Sequence, residues 1–153
     1  MRYAIKSIGL ALSFFVCGCA GSVTVPNIVN VGGTWTGNET DRLGPAVLTW
    51  TLTQTGHDVT GSAAMRPVNA TDGSCASCHK SKDGTIRGNV SGTTLTLVMF
   101  FPSGGKDDLT PKCSILLRSS ATDISKVSIV ASYSGSDPCE GTFDGSLAMT
   151  RRP

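Results

Sequence analysis

Apolar and polar residues alternate with a period of two along most of this chain. Leu48, Trp50 and Leu52 fall on one parity and Thr49, Thr51 and Thr53 on the other, while Val59, Ala63 and Met65 oppose Thr60, Ser62 and Arg66. Successive side chains of a β-strand point to opposite faces, so each such segment reads as a strand with one buried face. Eight segments do so, over residues 33–40, 46–55, 58–67, 84–90, 93–101, 112–120, 126–133 and 141–151. The later ones put Ile86 and Val90; Leu95, Leu97, Met99 and Phe101; Ile115 and Leu117; Val127, Ile129 and Tyr133; and Phe143, Leu147 and Met149 on the inner parity. Only 16% of residues are charged, and the 18 glycines and many threonines and serines suit strands and turns rather than helices.

Eight one-faced strands predict an all-β fold, an eight-stranded antiparallel up-and-down β-barrel whose closure leaves no edge. A two-sheet sandwich is the competing architecture. In such a barrel the connections alternate between two ends. Those at 56–57, 91–92 and 121–125 are short, whereas those at 40–45, 68–83, 102–111 and 134–140 are longer and share the other end. One end is therefore expected to be closed and the other to be an elaborated mouth.

Residues 1–18 read as a secretory leader, with Arg2 and Lys6 before an apolar run at 8–16 and small residues at Gly18, Ala20 and Gly21. Val16-Cys17-Gly18-Cys19 resembles the lipobox of bacterial lipoproteins. The resemblance implies that Cys19 is acylated, for example by palmitate, and becomes the N-terminus; a cleaved signal without lipid is the alternative. Residues 19–32 would then be a lipidated tether and 33–153 the barrel domain. The location implied is the bacterial cell envelope, facing the periplasm, and Ala20 after the cysteine points to the outer membrane. The formal charge of +2 resides in Arg2 and Lys6, and the rest of the chain is balanced, so nothing directs it to nucleic acid.

If Cys17 leaves with the leader and Cys19 carries lipid, Cys75, Cys78, Cys113 and Cys139 remain, all in or beside the mouth connections. Four thiols in an oxidising compartment imply two disulfides, with three connectivities open. The favoured arrangement joins Cys75 and Cys78 each to Cys113 or Cys139, tying the long loops together. Cys75-Ala76-Ser77-Cys78-His79 also spells C-x-x-C-H, the c-type haem attachment pattern, for which Met65 or Met99 would be the second axial ligand. A redox-active dithiol lacks a predicted helix N-terminus or thioredoxin-like unit around it, and a copper site formed with His79 and a methionine competes with the two other mouth cysteines, which offer disulfide partners first.

Gly33-Thr34-Trp35 resembles the Gly-x-Trp signature of the calycin barrels, the lipocalins and avidins. The resemblance implies a tryptophan plugging the closed end, covered by a basic residue near the last strand. Arg151, in phase with Leu147 and Met149, matches that partner, with Arg152 next. The tryptophans that line an avidin's biotin site are missing.

No catalytic residue is predicted: there is no Gly-x-Ser-x-Gly, paired-carboxylate setting or histidine metal motif, and His57 beside Asp58 reads as a surface histidine in a closed-end turn. The chain is expected to be non-enzymatic, without a cofactor. A hollow barrel would carry a small hydrophobic molecule; a filled one would leave the disulfide-linked mouth loops to bind an envelope protein. A haem-bearing electron-transfer lipoprotein is the alternative. Trp50, Phe101, Tyr133 and Phe143 favour filling, whereas Gly61, Ala63 and Gly88 leave room.

Overall fold

The structure, a computed structural model, describes residues 27–42, 44–69, 80–103 and 113–153. The leader, Cys19, Cys75, Cys78 and His79 lie outside the described residues. Eight strands follow in chain order: β1 (Gly33–Asp41), β2 (Gly44–Thr55), β3 (Asp58–Pro67), β4 (Lys82–Ser91), β5 (Thr94–Phe101), β6 (Ile115–Ala121), β7 (Ser128–Asp137) and β8 (Gly141–Arg151). Each pairs antiparallel with the next, and β8 returns to pair with β1, with Trp35 opposite Arg151 and Asp41 opposite Gly145. The fold is thus the closed up-and-down barrel, and the sandwich is excluded.

Away from the mouth the inward parity of the strands is largely apolar. Leu48, Trp50, Met65, Ile86, Leu97, Met99, Phe101, Leu117, Leu147 and Met149 are all at most 3% exposed. Closing a small barrel also forces backbones together at particular points. A Cβ at the inward-facing Gly37 would lie 1.9 Å from the Ala148 carbonyl oxygen on β8, a distance at which only glycine fits. Val127 departs from the expected parity and is 63% exposed. It precedes β7 in a turn where the N–H groups of Val127 and Ser128 donate to Ser125 Oγ.

Two of the four mouth connections are tighter than their sequences suggest. β1 runs on through Asp41 and β2 starts at Gly44, which sits at φ +110°. β7 continues to Asp137, leaving only Pro138, Cys139 and Glu140 before β8. Ser134, Gly135, Ser136 and Asp137 are turn formers locally, yet pairing with Gly141 to Asp144 holds them in the sheet.

The closed end also holds more chain than expected. Val31 is fully buried, and Ile28 and Val29 pack against the core. The Val29 N–H donates to the Gly92 carbonyl at 3.1 Å and the Val31 N–H to Gln54 Oε1 at 2.7 Å. The last residues of the expected tether therefore dock across the closed end as part of the domain.

Candidate functional site at the barrel mouth

The interior divides into three zones. At the closed end Trp35 Nε1 donates to the Val31 carbonyl at 2.7 Å, and the Arg151 guanidinium lies 5.8 Å from the indole centroid. Arg151 also donates to the carbonyl of Gly32 and, at 3.4 Å, to those of Asn30 and Lys126. The Gly-x-Trp expectation is met here by Arg151, while Arg152 contributes a backbone N–H to the Thr34 carbonyl. Nearby, His57 Nδ1 contacts the Val90 carbonyl at 2.8 Å, so this histidine fastens its turn to β4.

The middle zone is apolar and filled. Met99, between Ile86 and Leu117 in register, and Met65, beside Leu48, are 0% and 1% exposed. Both thioethers are buried; Met65 also pairs in register with Lys82 on β4. The Trp50 Nε1–H is buried with no hydrogen-bond partner among the described residues.

The mouth zone is a buried polar layer laid on that apolar column. Glu39 and Asp41 project inward from β1, in phase with Trp35; Lys80 precedes β4, Lys82 opens it, and Tyr133 comes from β7. Lys80 Nζ donates to Glu39 Oε1 and, at 2.8 Å, to Asp41 Oδ2. The Tyr133 hydroxyl contacts Glu39 Oε2 and, at 2.9 Å, Asp41 Oδ2. The side chains of Glu39 and Asp41 are 0% exposed and that of Lys80 is 2% exposed. Lys82 Nζ donates to the Cys113 carbonyl at 2.7 Å.

A phenol carries one hydrogen, so it can donate to only one carboxylate at a time. Its second contact is a hydrogen bond if that carboxyl is itself protonated and donates to the phenol oxygen. Electrostatics agree: burial pushes the Glu39 carboxyl above its usual range, against the opposing pull of Lys80. Burial, followed by the neighbouring Glu39 charge, likewise raises the Tyr133 hydroxyl. Glycine makes room for its ring, since a Cβ at Gly145 would meet Tyr133 Cζ at 2.3 Å. Phe143 packs edge-on against Tyr133, ring centroids 6.5 Å apart.

Beside this layer Cys113 and Cys139 form a disulfide, with Cα atoms 5.8 Å apart. This corrects the expected pairing of each with Cys75 or Cys78. Cys113 lies just before β6 and Cys139 just after β7, and the Leu116–Ser136 register of these adjacent strands brings the two together. Asp137 Oδ1 accepts the Cys139 N–H at 2.6 Å. Cys113, Asp137 and Cys139 bring ligand-type atoms within 4.8 Å of one another, but the bonded sulfurs offer no thiolate to a metal. Outside the disulfide, Phe100, Leu116, Pro138 and Thr142 help to line a groove of about 460 Å³. A second groove, of about 480 Å³, runs along Arg118, Ser132, Ser134 and Asp144.

Of the residues singled out from sequence, the structure unites Cys113 with Cys139 and Trp35 with Arg151. Glu39, Asp41, Lys80 and Lys82 were not among them. Their signal was parity: Glu39 and Asp41 are in step with Trp35, and Lys80 and Lys82 with Ile86.

No protein-family model matches the chain, and no curated protein does. A solved structure described as EF1p2_mFAP2b bound to DFHBI matches with a TM-score of 0.51 and 15% identity, over 80% of this chain and 94% of that one. At that identity the likeness concerns the fold alone. The chain carries an eight-stranded, calycin-like antiparallel β-barrel with a disulfide at its mouth.

Proposed function

We propose that this is an exported, non-catalytic binding module, lipidated on Cys19, that presents its mouth rim and the adjoining outer wall to another protein of the bacterial envelope. The observation that carries this reading is the filled interior. Trp35, Trp50, Leu48, Met99 and Phe101 are all fully buried inside the barrel, and the polar layer of Glu39, Asp41 and Lys80 lies over them at the mouth. An eight-stranded barrel is just wide enough for side chains to fill, so a small hydrophobic guest would have to displace core. The capacity to bind is then left to the outside, where the rim is braced by Cys113–Cys139 and flanked by the exposed Phe100.

Orientation supports the same reading. The chain reaches the barrel at its closed end, through Val29 and Val31. Ile28 lies nine positions after Cys19, a span of at most about 30 Å when extended. A lipid on Cys19 would therefore keep the closed end toward the membrane and turn the mouth away from it.

Three measurements test this. Labelling with an alkyne fatty acid should mark the full-length protein and be lost in Cys19→Ser; labelling that survives would remove the anchor. A photo-crosslinking residue at Pro138 should capture a discrete partner in cells, whereas one at Gly92 on the closed end should not. An environment-sensitive apolar dye should gain no fluorescence with the folded protein, and saturable uptake would favour a small-molecule carrier instead.

A further inference from the structure

The polar layer at the mouth is the feature that neither filling nor binding explains. Burying two carboxyls and an ammonium is costly, and well-packed apolar side chains would hold the same space at least as well. What the arrangement does provide is an amine in contact with two carboxyl groups in a buried site. We propose that Lys80 Nζ and Asp41 Cγ condense to an amide in the mature protein, an intramolecular isopeptide cross-link formed with Glu39 as the proton relay.

The geometry assigns the roles. Lys80 Nζ stands 2.8 Å from Asp41 Oδ2, and the same oxygen meets the Tyr133 hydroxyl at 2.9 Å, so both donors converge on the atom that must leave. Glu39 instead divides its oxygens, with Oε1 toward Lys80 and Oε2 toward Tyr133, which suits it to take a proton from one side and return one on the other. Holding the partners in place removes the entropic cost of bringing them together.

The step balances without a co-reactant. A C–N bond forms between Lys80 Nζ and Asp41 Cγ, and one C–O bond of Asp41 breaks. Of the three hydrogens on the Lys80 ammonium, one stays on the amide nitrogen. The other two leave with the departing oxygen as water, passed through Glu39, which ends in the protonation state in which it began. Nothing is oxidised or reduced, and a charged pair becomes a neutral amide. The link would fasten the end of β1 to the segment entering β4, at the same end of the barrel as the disulfide that joins the start of β6 to the end of β7.

The test is peptide mapping of the full chain purified from the envelope fraction, denatured, reduced and digested with trypsin. The expected result is a branched peptide joining the Asp41 and Lys80 segments, lighter by one water than the two apart and uncleaved after Lys80. Glu39→Gln, verified as folded by its β-type circular dichroism, should give the two linear peptides, as should Lys80→Arg. Linear peptides from the natural protein would overturn the proposal. A branch through Glu39 would overturn the assignment of Asp41, and a branch persisting in Glu39→Gln would overturn the relay.

Discussion

Two tryptophans of similar burial are predicted to behave oppositely when changed. Trp35 donates to the Val31 carbonyl, whereas the Trp50 indole N–H has no partner among the described residues. Trp35→Phe leaves a buried carbonyl unsatisfied and should lose about 1–3 kcal/mol in urea denaturation, whereas Trp50→Phe removes an orphan donor and should be close to neutral. At the mouth, Lys80→Met leaves Glu39 and Asp41 buried without their lysine partner, whether ion-paired or amide-linked, and should lose about 3–5 kcal/mol by the same measurement. Glu39 sets the pH dependence. Its folded-state value is raised, so its contribution to stability is complete below the ordinary value of 4.5 and is lost as pH rises through the raised value. Stability should therefore fall across that interval, and Glu39→Gln should flatten the slope. These residues show what a sequence makes legible. The inward direction of Glu39 follows from its parity with Trp35, but its partner Lys80 lies 41 positions away and no local pattern connects them.

Among the elements, the strands most apolar on one parity, such as β2 and β5, were readable almost to the residue, because burial of one face fixes both the period and the register. β7 was less so. Its second half, Ser134 to Asp137, has the composition of a turn and becomes strand only through the ladder with β8. Glycines in the strands carry the complementary information. Gly37→Ala would drive a methyl into the β8 backbone at the seam that closes the barrel, and is expected to cost about 1–3 kcal/mol or to open that seam. Gly92 is a useful contrast, with φ +58° and open space around the position of a Cβ. There alanine should cost about 1–2 kcal/mol through backbone conformation alone. Hydrogen exchange separates the two, since only Gly37→Ala should expose the amides of β1 and β8.

At the scale of the whole molecule, the disulfide sits where the barrel is least zipped. The β6–β7 ladder is the shortest in the sheet, running only from Leu116 to Ser120 against Ser132 to Ser136, and Cys113–Cys139 closes it at the mouth. Joining residues 26 apart restrains the unfolded chain. Reduction, or the double change to alanine, should therefore lower stability by about 3 kcal/mol and loosen β6 and β7 first. By itself the sequence determined that the chain is all-β, that eight strands bury one face each, and which end is closed. These follow from a period of two and the spacing of turns, both local properties. Tertiary structure alone decided which cysteines bond and that two carboxyls, a lysine and a tyrosine gather beneath the mouth. The physical reason is barrel closure: curling the sheet brings β1, the start of β4 and the end of β7 around one axis, so residues distant in the chain become neighbours only once the last strand has paired with the first.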